Sequence, residues 1–176
     1  MLCLRGKPFL LCRENVTMNE ASLYIHSFLM HKDIPFLRYC HAECASRKDW
    51  QAAVKKLNVK ALPVFSSVRG MPAQDGAGKR AFLLELSAAD KAEPDSGWML
   101  SAAQGDALRM LRCSEATLSP LSLVFDKEKH FYLSVSPELC KEKLLCFPCA
   151  DARESVVLSY GDFMGRFVPE ACIRLL

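Results

Sequence analysis

The sequence predicts an α/β fold in two parts: a βαβαββα domain over residues 1–113, and a small β-rich extension over residues 114–176 that packs on it. Two observations support this prediction. Over residues 7–112, short apolar runs alternate with apolar residues at helical spacing, which is the pattern of alternating strands and helices. After residue 113 the pattern changes to short runs rich in β-branched and aromatic residues.

The first elements are predicted to be a strand, a helix and a second strand. The apolar run at residues 7–12 predicts the first strand. Thr17 stands three residues before Glu20 in the form of a capping box, so we expect Thr17 to cap a helix that ends near His31. Apolar residues recur at helical spacing within it: Ala21, Tyr24, Ile25, Phe28 and Leu29. The apolar residues at 34–40 predict the second strand.

A second capping pattern, Ser46 followed by Asp49, predicts a helix that runs past Trp50 to about Asn58. Residues 59–65 then predict a third strand, which contains a proline near its start. Glycines and prolines predict a long loop over residues 66–80. The apolar run at 81–86 predicts a fourth strand, and the spacing of apolar residues over 98–112 predicts a third helix.

The extension is predicted to begin with a hairpin. Residues 121–125 and 130–135 are β-rich, and the charged residues 126–129 between them would form the turn. Residues 143–146 and 155–158 predict two further strands. Residues 162–168 predict a short helix near the end of the chain.

Composition and charge exclude several classes of protein. The chain of 176 residues is 51% hydrophobic and 24% charged, which is typical of a globular domain rather than a disordered chain. The net charge of +3 is small and its cations are scattered, so nothing indicates nucleic-acid binding. The apolar runs are too short to cross a bilayer.

The cysteine count bears on the compartment. Nine cysteines is an odd number, and the sequence has no secretory signal, so a disulfide framework is not expected. We therefore expect an intracellular, cytoplasmic protein with reduced thiols. The N-terminus carries Arg5, Lys7 and Arg13 without an acidic residue before them, which leaves a mitochondrial presequence as an alternative.

The element order over residues 7–112, with Leu62-Pro63 opening the strand after the second helix, resembles the thioredoxin-like superfamily. It is most similar to glutaredoxins and to the N-terminal domain of glutathione transferases. The resemblance implies that Pro63 is cis and that Leu62 and Pro63 line a peptide or glutathione site. Thr17 would offer a hydroxyl to the same ligand.

The sequence departs from the superfamily at the reactive position. A helix N-terminus lowers the pKa of the superfamily's reactive thiol. Here Cys12 closes the first strand, and Asn15 stands where a resolving thiol would be. The β-rich residues after 113 also replace the all-helical domain of a transferase.

Residues 146–149 form a Cys-x-x-Cys motif, which is the spacing of dithiol redox sites and of half of a zinc site. Cys146 and Cys149, or Cys12, are therefore the candidate reactive thiols if the protein is an enzyme. Cys40 and Cys44 could join Cys146 and Cys149 in a tetrahedral zinc site that links the two parts of the chain, and a site of three cysteines and His41 is the alternative.

Other polar residues have less specific signals. His26 lies beside the apolar face of the first predicted helix and is interpreted as a structural histidine. Asp151 and Glu154 stand near arginine in a charged segment, and we expect them to be solvated.

With the reactive position changed, the sequence favours a non-catalytic binding or assembly protein, a subunit or adaptor with protein partners in a larger complex. Two alternatives stay open. One is a thiol-disulfide oxidoreductase or glutathione-dependent transferase, with glutathione as the cofactor or co-substrate. The other is an interaction module stabilised by zinc.

Overall fold

The computed structural model describes residues 19–71, 81–89 and 102–176, and the fold of these residues is α/β. The helices are α1 (Glu20–His31), α2 (Arg47–Lys56), α3 (Ala102–Met110), α4 (Tyr160–Asp162) and α5 (Val168–Glu170), with 3₁₀ turns at Pro120–Phe125 and Pro137–Lys141 and a π turn at Phe163–Phe167. The strands are β1 (Leu37–Cys40), β2 (Leu62–Pro63), β3 (Phe65–Met71), β4 (Ala81–Ser87), β5 (Phe131–Val135), β6 (Leu144–Cys149), β7 (Asp151–Ser159) and β8 (Arg174–Leu175).

The first sheet has the strand order β1-β7-β6-β2. Strand β7 is antiparallel to both of its neighbours, and β2 is parallel to β6, so β1, β6 and β2 all run in one direction. Helix α2 therefore connects two parallel strands of one sheet, as a βαβ crossover does. It returns over β7 and β6, the two strands that lie between β1 and β2.

The second sheet has the order β3-β4-β5-β8. Strands β3 and β4 form an antiparallel pair, whereas β4, β5 and β8 are parallel. Val64 separates β2 from β3, so a single stretch of chain passes from the first sheet to the second. Both sheets thus combine strands from before and after residue 113.

The two apolar clusters lie on opposite faces of the first sheet. Side chains of a strand alternate between faces, and Val156 and Leu158 belong to the large cluster while Val157 belongs to the small one. The large cluster fills the space against α1, the second sheet and the π turn. The small cluster packs against α2 through Trp50 and Val54.

Several sequence predictions are confirmed by these elements. Helix α1 ends at His31, Ser46 and Asp49 form a reciprocal capping box on α2, and a strand covers residues 81–87. Strand β7 contains the predicted run 155–158, and β6 begins one residue after the start of the predicted run 143–146; both strands are longer than predicted. Helical turns continue from residue 160 to 170, across the predicted terminal helix.

Other predictions were wrong. Asn19, not Thr17, caps α1, and its side chain accepts the Ser22 N–H; Thr17 itself lies outside the described residues. Residues 66–71 continue as a strand rather than a loop, because they pair along the whole of β4. The predicted hairpin is absent, since residues 120–125 form a 3₁₀ turn and β5 pairs in parallel with β4.

The thioredoxin-like arrangement is not confirmed. In that arrangement the four strands predicted before residue 113 would share one sheet. Here β1 and β4 lie in different sheets, and β6 and β7 lie between β1 and β2. The Leu62–Pro63 peptide bond is trans, since no described peptide bond is cis. Within the described residues, no helix has the length and hydropathy to cross a membrane.

Candidate functional site

Helix α1 is tied at its N-terminus to the turn between β6 and β7. The Asn19 side chain donates to the carbonyl of Ala150 at 2.9 Å, and the Asn19 N–H donates to Asp151 Oδ2 at 3.3 Å. Ala150 alone links the two strands, and its φ of 38° makes the turn tight. Residues 19, 22 and 26 share one face of the helix. The hydrogen bonds of Asn19 therefore place Ser22 and His26 against β6 and β7.

A buried polar cluster forms where α1 meets β6 and β7. His26 Nε2 lies 3.6 Å from Cys149 Sγ and 4.0 Å from Glu154 Oε1. The Ser22 hydroxyl lies 3.7 Å from the same sulfur. His26, Cys149 and Glu154 are all buried, and their ligand-type atoms lie within 4.8 Å of one another. In the described part of the chain, this is the one such group of three.

Arg38 completes the cluster from β1. Its Nε donates to Glu154 Oε2 at 2.6 Å, and both side chains are buried. Glu154 Oε1 and Arg38 Nη2 are buried without a hydrogen-bond partner among the described residues. Buried polar atoms are rarely left unsatisfied, so an unpaired carboxylate oxygen beside a thiol and an imidazole requires a physical explanation.

Burial controls protonation in this cluster. Desolvation, with a contribution from the Arg38 charge, lowers the pKa of His26 to about 4, so the imidazole is neutral at neutral pH. Desolvation raises the pKa of the Cys149 thiol, and the nearby Glu154 raises it further. Desolvation also raises the pKa of Glu154, although the hydrogen bond from Arg38 acts in the opposite direction. The cluster therefore holds a neutral thiol, a neutral imidazole and a carboxylate paired with arginine.

The geometry distinguishes between two uses of a cysteine, a histidine and a glutamate. In a nucleophilic triad the nucleophile and the acid contact opposite nitrogens of the imidazole, so that the acid orients the base. Here Cys149 and Glu154 both approach Nε2. Because both atoms approach the same nitrogen and the sulfur is buried, the cluster cannot pass a proton to a substrate as a triad does. Side chains that converge on one point are instead typical of the ligands around a metal ion.

The opposite face of the first sheet carries a second group of polar residues, under α2. Trp50 Nε1 donates to Ser155 Oγ at 2.9 Å, and His41 Nε2 lies 3.0 Å from the same oxygen. Cys44 and Cys146 are buried in this small cluster. Burial raises the pKa of Cys146 to about 12, partly offset by a hydrogen bond with Ser155.

The predicted site residues are therefore not brought together. Cys146 faces Trp50 and α2, whereas Cys149 faces Ser22 and α1, so the two thiols of the Cys-x-x-Cys motif lie on opposite faces of β6. Cys44 lies on the Cys146 side. Cys40 is disulfide-bonded, so the expectation of reduced thiols was wrong at this position. The four-cysteine zinc arrangement consequently does not assemble among these positions.

The other predicted ligand residues lie apart from the buried cluster. Leu62 and Pro63 are half-buried and pair with Leu145 and Cys146 of β6. Cys12, like Thr17, lies outside the described residues.

Sequence reasoning missed most of the buried cluster. Asp151 and Glu154 were expected to be solvated, but both are buried, and this prediction was wrong. Arg38 gave no signal beyond its place in a predicted strand. The sequence did contain one signal. The continuous apolar run Val156-Val157-Leu158 indicates a strand that is buried on both faces, so Glu154, two positions before it, should also be buried and paired with a cation.

A different feature lies at the end of the first sheet where β1 and β6 begin and α2 ends. Leu37, Leu57 and Leu144 are 40%, 40% and 37% exposed. The register places Leu37 and Leu144 at this end of the sheet, and Leu57 caps the C-terminus of α2, just before the chain enters β2 at the same end. We call these three residues the leucine end. Leu37 and Leu144 belong to the face that α2 covers, so α2 leaves part of its sheet face open to solvent.

The leucine end is surrounded by mostly basic side chains. Lys55 and Lys56 precede Leu57, Lys60 follows it, and Lys143 precedes Leu144; all four are exposed. Glu142 is the exposed acidic residue beside Lys143.

Comparisons with known proteins add no assignment to these two features. Neither a scan against protein-family models nor a search of curated proteins finds a match to this chain. What the buried cluster and the leucine end can do thus rests on their own residues.

Proposed function

We propose that this protein is a non-catalytic binding subunit whose leucine end receives an apolar, acid-flanked segment of a partner protein. The observation that carries the proposal is the pairing of three exposed leucines with four exposed lysines at one end of the first sheet. Single exposed leucines are ordinary on a protein surface, but an apolar group with a charged border is typical of an interaction site.

The composition of the surface determines the chemistry of the partner. Apolar side chains of the partner would cover Leu37, Leu57 and Leu144 and complete the layer that α2 begins. The lysines would attract acidic residues on either side of that segment, which speeds association and orients the partner. Because these charges are exposed, binding should weaken as salt concentration rises.

The burial of the thiols supports a non-catalytic role over a thiol enzyme. A thiolate is the reactive form of cysteine, and burial raises the pKa of both Cys146 and Cys149 well above neutrality. Their positions on opposite faces of β6 also argue against a shared disulfide. An insulin-reduction or glutathione-conjugation assay tests the enzyme alternative, and activity that disappears in Cys146→Ser or Cys12→Ser would establish it instead.

A thioredoxin-like ancestry remains a proposal of the same kind. Its support is the antiparallel pair of β3 and β4 that follows Leu62-Pro63. The binding role does not depend on it.

Site-specific photo-crosslinking in the native cell tests the binding role. A photoreactive side chain is placed at position 57 or 144, and at position 23 as a matched control, because Leu23 is 49% exposed on α1, on the other side of the sheet. We expect one partner to be cross-linked from 57 and 144 but not from 23. Peptide mapping should then locate the cross-link in an apolar segment with acidic flanks.

Charge substitution completes the test. The double variant Leu57→Glu and Leu144→Glu should remove the cross-linked partner from complexes isolated at physiological salt, while Leu23→Glu should retain it. If both variants retain the partner, or if cross-links arise equally from all three positions, the leucine end is not the binding surface.

A further inference from the structure

The cluster of His26, Cys149 and Glu154 has a feature that the binding role leaves unused. Three side chains of different elements direct ligand-type atoms to one small, buried volume. Cys149 lies at the end of β6, Glu154 in β7 and His26 in the middle of α1. We propose that His26 Nε2, Cys149 Sγ and Glu154 Oε1 bind one Zn²⁺ ion that fixes α1 to the β6–β7 pair.

The sulfur–nitrogen distance of this cluster agrees with tetrahedral zinc. Zinc lies about 2.3 Å from a thiolate and about 2.0–2.1 Å from an imidazole nitrogen or a carboxylate oxygen, so tetrahedral geometry requires about 3.6 Å between sulfur and nitrogen and about 3.3 Å between nitrogen and oxygen. Cys149 Sγ and His26 Nε2 are 3.6 Å apart, and His26 Nε2 and Glu154 Oε1 are 4.0 Å apart. Zinc binding would therefore bring Glu154 Oε1 about 0.7 Å closer to the imidazole nitrogen.

The unpaired oxygen supplies an independent observation. Glu154 uses Oε2 to accept the Arg38 hydrogen bond, and its buried Oε1 has no hydrogen-bond partner among the described residues. An ion bound between Oε1, Nε2 and Sγ would satisfy that oxygen. Arg38 would then act as the outer partner that orients a ligating carboxylate, as commonly occurs around metal sites.

The types of donor also suit a divalent ion. A neutral imidazole presents the lone pair of Nε2 when its proton is on Nδ1. On binding, the Cys149 thiol loses its proton to solvent and the thiolate bonds to zinc, so one proton is released per ion bound. The thiolate and the Glu154 carboxylate together place two negative charges beside the ion.

The mixture of donors favours zinc over harder cations. Calcium and magnesium prefer oxygen ligands alone, whereas one sulfur, one nitrogen and one oxygen suit zinc. The Ser22 hydroxyl lies 3.7 Å from Cys149 Sγ and could hydrogen-bond to the bound thiolate, and a water would complete the four-coordinate shell. Because all three ligands are buried, the site is structural in type and binds no large substrate.

Cobalt binding tests the site in the full-length protein. Purified protein is stripped of metal with a chelator under reducing conditions and titrated with Co²⁺, whose visible ligand-field bands are intense in tetrahedral sites and whose thiolate bonds give a charge-transfer band. We expect both signals to saturate at one equivalent and to disappear when Zn²⁺ displaces the cobalt. The Cys149→Ser variant should lose the charge-transfer band, and the matched Cys146→Ser variant should keep it.

X-ray absorption of the zinc-loaded wild type gives a second readout that needs no variant. We expect one sulfur at about 2.3 Å and the remaining ligands, nitrogen and oxygen, at about 2.0–2.1 Å. A shell with no sulfur, or with two or more, would overturn the proposal. So would weak octahedral cobalt bands in the wild type, or a charge-transfer band that depends on Cys146 rather than Cys149. These results do not depend on any protein partner, so they separate this proposal from the binding role.

Discussion

Arg38 and Glu154 form a buried ion pair across the diagonal of the β1–β7 ladder. Arg38 lies opposite Val156 and Glu154 lies opposite Cys40, so the two charged side chains point to the same face and meet at 2.6 Å. Both are almost completely buried. Removing one member of a buried ion pair is strongly destabilising, because the other charge is left without a partner in a medium of low dielectric constant.

We expect the Arg38→Met substitution to lower the free energy of unfolding by about 3–5 kcal/mol, because it leaves the Glu154 carboxylate unpaired. Adding Glu154→Leu should recover most of that loss, since the pair is then replaced by apolar groups of similar size. Urea unfolding in the presence of a chelator measures the double-mutant cycle without interference from bound metal.

An exposed pair provides the matched control for this cycle. Arg69 and Glu85 are also diagonal neighbours on two antiparallel strands, β3 and β4, with Nε and Oε2 3.3 Å apart, but their side chains are 66% and 44% exposed. Arg69→Met should cost only about 0–1 kcal/mol, because water screens and solvates the remaining charge. Equal losses for Arg38→Met and Arg69→Met would contradict a role for burial.

The thiols should differ strongly in reactivity. Cys140 and Cys172 are exposed and should be alkylated first at neutral pH. Cys146 and Cys149 should be alkylated last, because they are buried and because burial raises the pKa of both thiols. Peptide mass spectrometry after timed alkylation of metal-free protein measures the order, and rapid labelling of Cys149 would disprove it.

Trp50 should dominate the attachment of α2 to its sheet. Its ring meets Phe65 edge to face with centroids 5.6 Å apart, and its indole N–H donates to Ser155. Trp50→Phe keeps much of the ring volume but loses the hydrogen bond, which should cost about 0.5–1.5 kcal/mol, since His41 Nε2 still contacts Ser155 Oγ. Trp50→Ala should cost about 3–5 kcal/mol by creating a cavity.

Thermal unfolding followed by circular dichroism compares the two Trp50 variants. Their order is the decisive result: if Trp50→Phe were as destabilising as Trp50→Ala, the ring itself would contribute little to the packing of α2.

The capping box of α2 predicts a smaller effect at the surface. Asp49 N–H donates to Ser46 Oγ at 3.2 Å, and Ser46 N–H donates to Asp49 Oδ2 at 3.0 Å. Ser46→Ala removes one half of this exchange and should reduce stability by about 1 kcal/mol, whereas Ser46→Asp should retain most of it. Urea midpoints of the two variants test this, and an Ala variant as stable as wild type would show that the cap contributes nothing measurable.

The sequence predicted elements whose signals are local. The capping box at Ser46 and the helical spacing of α1 depend on residues a few positions apart, and both were found where expected. The run Pro120–Phe125 misled because a short, wholly buried apolar run has no period that separates a strand from a turn. Ser119 and Pro120 at its start were the signal for a helical turn, since the Ser119 hydroxyl accepts the Leu121 N–H.

The arrangement of the strands could not be predicted in the same way. Pairing of β1 with β7 joins residues more than a hundred positions apart, and nothing in either run specifies its partner. The candidate site depends on that pairing: Arg38, His26 and Glu154 meet because β1, α1 and β7 meet. The Cys-x-x-Cys motif did single out Cys149, but as one of a pair of thiols. In β6 the two thiols lie on opposite faces of the strand, so they do not form a shared site.

The single-residue turn at Ala150 imposes a rule on how this chain can vary over evolution. Four residues separate Cys149 from Glu154, and adding or removing one would turn one of these side chains to the other face of the sheet. Loops elsewhere can change length freely, but this interval cannot. Distant relatives should therefore be recognisable by a cysteine and a glutamate at this fixed interval, preceded by a histidine and, twelve positions after it, an arginine.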